Sequence, residues 1–446
     1  MNNHTMLTKQ NRHKKLLALA LPMILSNITV PLLGLVDTAV IGHLSHAAYL
    51  GGVAVGSTII TLMLWLMGFL RMSTTALVAQ GFGRRDDAQQ VSILLQSGIM
   101  ALLIGALFLL LQYPVWHLAM QFSDASPEVV GYGHDYFAIR IWGAPFALIN
   151  MVLLGWLMGR QNPKAAMWQL IIANSLNIAL DLLFVVGLDW GVKGAAAASV
   201  AADIASTLVA LYMVKNAMTR MHEVNLRQLL NKLKLQHFSQ LLRLNRDIFI
   251  RSMFLQFTFA FITFAGASLG DTTVAANAVM LNLLLLISYA LDGIAYYAEA
   301  EVGRAAGERN YHELHATVTT AFYWSGAVAL LFSLLFWLAG EQLIGLLTSI
   351  DAVINTAVGL LPWMIALPIL SFGCYLFDGV FIGAAKGHTM RNSMMVASLL
   401  VFAPLWWFTQ TWHNQGLWLA LCGFMLARSV TLGGYYYFRR QQFLEH

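Results

Sequence analysis

Between Leu16 and Ile41 the chain reads LLALALPMILSNITVPLLGLVDTAVI, about 26 residues of nearly unbroken apolar sequence, enough to cross a bilayer at about 1.5 Å of rise per residue. Runs of this kind recur about twelve times along the chain, and the recurrence leaves few folds open. In hydrocarbon no water satisfies a backbone N–H or C=O, so apolar runs of this length are helices. Composition agrees. The chain of 446 residues is 59% hydrophobic and 11% charged, against about 25% charged in soluble domains. The expected fold class is an all-α integral membrane protein with twelve transmembrane helices, at approximately 16–41, 50–71, 90–112, 131–158, 165–187, 194–214, 241–268, 273–300, 314–338, 353–382, 392–410 and 416–438. The first run lacks a small-residue cleavage site before a polar mature region, so it is read as a span and not as a removable signal.

Basic residues give the expected topology. Lys9, Arg12, Lys14 and Lys15 precede the first span, Arg84 and Arg85 follow the second, and Arg160 and Lys164 follow the fourth. Arg304, Arg309, Lys386, Arg391, Arg439 and Arg440 continue the same side, whereas the opposite loops hold only Lys193. The positive-inside rule then puts both termini in the cytoplasm. Between residues 218 and 240 lies a basic linker with leucines at helical spacing, either an amphipathic helix on the inner leaflet or a plain tether.

The linker divides a repeat. Shifting the sequence by about 224 residues lays Ala54-Val55 on Ala278-Val279, Gly83 on Gly307 and Met158-Gly159 on Ile382-Gly383, in a period far longer than that of solenoids. Pro145 falls within one residue of Pro368. The expected division is a six-helix bundle at 1–217, the linker at 218–240 and a second six-helix bundle at 241–446. Each half holds an even number of spans, so the two share orientation, an arrangement that secondary transporters use by rocking two bundles around a central site.

Polar residues inside the spans differ between the halves. Span 1 carries Pro22 and Pro31, each lacking an amide hydrogen and crowding the carbonyl four residues back, so a bend is expected; Asp37 follows near its outer end. Span 5 places Asn174, Asn177 and Asp181 on one helical face, and span 6 places Ser199 and Asp203 one turn apart. Span 4 adds Asp135 and Arg140. Charges facing lipid are expensive, so these groups are expected to line a hydrated cavity or to bond between helices. In the second half Asp292, Glu299, Glu301 and Asp378 lie nearer the cytoplasmic side, at the level of Arg251 and Arg428. There an ion-pair or gating network and a second ion site are both open readings.

Pro22 with GLVDTAVIG (34–42), NIALDLLFVVG (177–187) and the six-plus-six repeat resemble the multidrug and toxic compound extrusion (MATE) family. LNRDIFIRS (244–252), YALDGIAYYAEA (289–300) and DGVFIGAAKGHTMRNSM (378–394) resemble its DNA-damage-inducible F subfamily. The resemblance covers almost the whole chain. It implies two V-arranged bundles and export of organic compounds driven by inward flow of protons or sodium. It also implies roles for Asp37 as the span-1 carboxylate, Asn177 and Asp181 as the span-5 pair, Pro22 at the bend and Ser199 as a small hydroxyl residue. Another branch uses an acid in the middle of span 7, where this chain has Gln256 and Phe257.

Other chemistry finds no pattern here. Cys374 and Cys422 lie in apolar runs, the His43/His46 and His312/His315 pairs lack further ligands nearby, and no HExxH, P-loop or GxSxG occurs. No metal, cofactor, enzyme activity or nucleic-acid partner is therefore expected. The reading is a proton-coupled efflux antiporter of the bacterial inner membrane, a monomer in the bilayer acting on cationic or amphipathic organic molecules. Sodium coupling would want more oxygen ligands than Asn177, Ser199 and backbone carbonyls supply, and a flippase for lipid-linked precursors would want an arginine-rich cavity for phosphates. If the bend at Pro22 moves Asp37 between two environments, Pro22→Ala inserts normally and reduces transport; wild-type drug resistance in cells with normal amounts of the variant would contradict this.

Overall fold

The computed structural model describes residues 11–27, 47–122, 126–219, 221 and 238–444. Among these the chain is all helix, with no strand. Helix α1 covers residues 11–27. The first half continues with α2 (Ala47–Leu66), α3 (Phe69–Gly83), α4 (Asp87–Met120), α5 (Pro127–Arg140), α6 (Ala144–Gly159), α7 (Pro163–Asp181) and α8 (Gly191–Met218). The second half holds α9 (Ser239–Ser268), α10 (Asp271–Gly307), α11 (Tyr311–Leu347), α12 (Asp351–Val358), α13 (Leu361–Gly383), α14 (Gly387–Met395), α15 (Ala403–Thr409) and α16 (Asn414–Arg439). Eleven segments among the described residues are long and apolar enough to cross a membrane, several being pairs of helices in line, such as α2 with α3 and α5 with α6. Of the span expected at 16–41, residues 28–41 lie outside the described residues, as does nearly all of the linker expected at 218–240.

Many helices outrun their apolar stretches because polar caps extend them. Asp86 Oδ1 accepts the amide of Gln89 at 2.8 Å and starts α4 ahead of its hydrophobic run. Asn310 Oδ1 does the same for Glu313 at 3.0 Å and starts α11. These two caps lie 224 residues apart, and the turns around them repeat at the same interval. Arg85 and Arg309, Gln161 and Ala385, and Asp189 and His413 are three pairs of non-glycine residues with φ between 53° and 61°. Left-handed backbone is uncommon outside glycine, so its recurrence at one offset marks a repeated tight turn.

The packing follows the same interval. In the first half α6 is central, packed against α3, α4 and α8. In the second half α13 takes that place between α10, α11 and α16. Each central helix approaches its neighbour through two glycines four residues apart. Gly155 and Gly159 meet the carbonyls of Arg71 and Thr75 on α3, and Gly379 and Gly383 meet those of Ala295 and Glu299 on α10. A Cβ at any of the four would lie closer than 3.0 Å to that carbonyl oxygen. Without a hydrophobic driving force between helices in lipid, such close backbone contact is what holds them.

The chain forms two compact units, Leu25–Leu241 and a second comprising Met1–Ile24 with Leu242–His446. Repeat and packing therefore divide the chain differently at one element: the repeat assigns the first span to the first bundle, 1–217, whereas residues 11–24 pack with the second half. Leu16, Leu19, Ala20 and Met23 form the buried face of α1, and Ala20 and Ile24 sit against Gly293 of α10. The attachment is also ionic. Lys15 Nζ reaches the buried Glu301 carboxylate at 2.7 Å, Arg12 Nη2 donates to Glu313 Oε2 at 2.8 Å, and Arg304 bridges both acids. The spacing of Glu301, Arg304 and Glu308 along α10 is visible in the sequence, but not the arrival of Arg12 and Lys15 from α1.

Gly159→Val is expected to lower the melting midpoint of the purified protein, by a destabilisation of roughly 1–3 kcal/mol, because the added carbons force α6 away from α3. Gly98→Ala in α4, where a Cβ meets nothing within 4 Å, is the control and should leave the midpoint unchanged or slightly raised. Equal midpoints for Gly159→Val and wild type would contradict the close-contact account.

Candidate functional site

The unit Leu25–Leu241 contains a cavity of about 530 Å³. One wall is α2, with Val53, Ala54, Ser57, Thr58 and Thr61; the other is α7 and α8, with α5 contributing Tyr136 and Arg140. Helical spacing explains the polar wall: three- and four-residue steps aim Asn174, Asn177 and Asp181 of α7 along one stripe. Ser199 and Asp203, one turn apart on α8, face the same space. Asn177 Nδ2 donates to Ser199 Oγ at 3.3 Å, while Asn177 Oδ1 has no hydrogen-bond partner among the described residues. Asp181 is only 3% exposed. Directly after it the hydrogen-bond register widens into a π-helical segment, Leu182–Gly187, with the Leu188 amide donating to the Leu183 carbonyl at 2.9 Å. Such widened turns recur at functional positions in helices. Periodicity in the sequence carried no sign of it.

Asp203 has a different environment. Arg140 Nη1 lies 2.7 Å from its Oδ2, and both side chains are mostly buried. The pair depends on a short 3₁₀ turn, Ile141–Gly143, between α5 and α6. Gly143 leaves the space that the two groups occupy, since a Cβ there would lie 2.9 Å from Asp203 Oδ2. The Asp203 carbonyl accepts from Asn150 Nδ2 at 3.1 Å and from Thr207 Oγ1 at 2.8 Å, and Gln169 Nε2 donates to Asn150 Oδ1 at 3.3 Å. Asp135 does not line the cavity; it forms an exposed pair with Lys193 at 3.4 Å. Asp37 lies outside the described residues. Pro22 stands within α1, in the part of that helix that packs with the second half.

In the other unit, Asp378 of α13 joins Arg251 of α9 and Arg428 of α16. Asp378 Oδ2 accepts from Arg428 Nη2 at 2.7 Å and from Arg251 Nη2. Arg428 also sits over the Phe424 ring, 5.5 Å from its centroid, and donates to Met425 Sδ at 3.5 Å. Asp292 is half-buried on α10 and acts electrostatically on the same Cys374 thiol as Arg428, Asp378 and Arg251. The second half thus brings cations and acids together, while the first half keeps Asp181 in an open, amide-rich space.

Comparison with known proteins accords with this layout. The MatE family model matches residues 22–183 and 248–408, one segment in each half. The chain is 45% identical over 422 residues to DNA damage-inducible protein F of Escherichia coli (strain K12), covering 94% of this chain and 91% of that protein. It is 20% identical over 411 residues to the multidrug export protein MepA of Staphylococcus aureus (strain N315), covering 89% of this chain and 88% of that protein. A solved structure of a MOP superfamily transporter from Pyrococcus furiosus superposes with a TM-score of 0.87 at 20% identity, over 98% of this chain and 97% of that one. The chain is a multi-pass membrane protein of the MatE family, the multidrug and toxic compound extrusion transporters.

Proposed function

We propose that this transporter is a proton-coupled antiporter that exports cationic or amphipathic organic molecules across the bacterial inner membrane, with both termini in the cytoplasm. The observation that carries the reading is the 530 Å³ cavity with Asp181, Asn174, Asn177 and Ser199 on its wall. A carboxylate nearly hidden from solvent among amides is costly as an anion and much less so once protonated. A proton taken from the acidic exterior would therefore favour a collapsed cavity that expels substrate. Opening toward the more alkaline cytoplasm would return the proton. Asp37, assigned by resemblance, would share this task with Asp181, the two titrating as a coupled pair. The amphipathic character of the cavity, aliphatic on α2 and polar on α7 and α8, suits organic cations. A phosphate-bearing lipid precursor suits it less, because Arg140, the arginine among the described lining residues, is already engaged by Asp203.

On this reading the acids of the second half serve stability. Asp378 lies between two guanidinium groups, and such a carboxylate is held ionised rather than free to shuttle a proton.

Two outcomes follow for the two acids. In proteoliposomes or everted vesicles, Asp181→Asn should insert and fold yet lose export driven by a proton gradient; full gradient-driven export would overturn the assignment. Asp378→Asn should lower thermal stability by on the order of 3–5 kcal/mol, because it strands two buried cations. Unchanged melting with loss of ion coupling would instead make Asp378 a transport carboxylate.

A further inference from the structure

We infer that Arg140 sets the charge of the first-half cavity and so selects singly charged organic cations over doubly charged ones. Three charged side chains line the cavity among the described residues: Arg140, Asp181 and Asp203. Arg140 and Asp203 cancel, their atoms 2.7 Å apart and their side chains 12% and 21% exposed. Asp181 is then the one acid of the described lining left to balance a cationic guest.

The pair is built into the fold. The 3₁₀ turn Ile141–Gly143 carries Gly143 back beside Arg140, and any side chain at Gly143 would collide with both partners. Asp203 is fixed from behind through its carbonyl by Asn150 and Thr207. Ser199, one turn earlier on α8, meets Asn177, so the neutralised pair lies one turn from the amide that flanks the coupling acid. Removing Arg140 therefore exposes a second carboxylate at short range. In a partly hydrated protein cavity an extra charge within about 10 Å changes the affinity of a cation on the order of tenfold.

The inference rests on the cavity being the cation site. Ethidium and propidium, related phenanthridinium dyes with one and two positive charges, are the probes, with dissociation constants measured by fluorescence on the purified full-length protein at alkaline pH. Wild type is expected to prefer ethidium. Arg140→Gln should shift the ratio of the two constants toward propidium on the order of tenfold. Asp203→Asn should weaken ethidium, because the stranded Arg140 then offsets Asp181; this variant carries the test should Arg140→Gln fail to fold. The double variant R140Q/D203N should return the ratio to within about twofold of wild type, as double-mutant cycles show for a coupled pair. A ratio that stays constant in both single variants, even if both probes bind more weakly, would overturn the inference and leave the pair a packing feature. Asp181→Asn separates the two levels: if it binds ethidium as wild type does, the cavity is not the cation site and the functional reading itself fails.

Discussion

A charge inside hydrocarbon has to be paired, neutralised by a proton or kept wet, and the two halves of this chain meet that requirement in different ways. In the second half it is met by pairing. Asp378 lies between Arg251 and Arg428, and Glu301, buried near the end of α10, lies between Lys15 and Arg304. In the first half Asp203 is paired with Arg140, but Asp181 faces a cavity lined by amides and hydroxyls. Pairing holds a group in one protonation state, whereas a cavity allows it to change state. That contrast is the basis for assigning proton coupling to the first half and stability to the second.

Both halves carry these charges on the same backbone. The left-handed turn residues, the helix caps at Asp86 and Asn310, and the glycine pairs of α6 and α13 all recur 224 residues apart. The carbonyls they approach, on α3 and α10, recur at the same interval. What repeats is the part that holds helices together without side-chain hydrophobicity. What differs is the polar cargo: Asn177 and Asp181 have no acidic or amide counterparts 224 residues later, where the chain reads Val401 and Leu405. A duplicated scaffold with unequal charge is a direct way to make one half bind and the other support.

The fold was largely legible because hydropathy and length alone identify spans, and because a repeat survives in the glycines and prolines that backbone contact demands. The cavity was legible in part, since three- and four-residue steps disclose that Asn174, Asn177 and Asp181 share a face. The partners of these groups were not. Whether Asp203 meets Arg140 depends on a 3₁₀ turn of three residues and a glycine, features too short to leave a periodic signal. The break between α2 and α3 at Met67–Gly68 and the π-helical segments at Leu182–Gly187 and Val396–Phe402 are equally silent, because widening one turn changes hydrogen-bond register and not composition. The packing of α1 on α10 escaped for another reason: adjacency in sequence favours its own bundle, while the acids that receive Arg12 and Lys15 lie almost 300 residues away.

The most direct measurement of this division is the number of protons released when substrate binds to purified protein in weakly buffered solution. The account predicts release by wild type, and loss of that release when the cavity acid Asp181 alone is neutralised to asparagine. It predicts that a variant lacking the Asp378 carboxylate, once stabilised enough to be measured, still releases protons. Proton release that survives in the Asp181 variant and disappears in the Asp378 variant would contradict it.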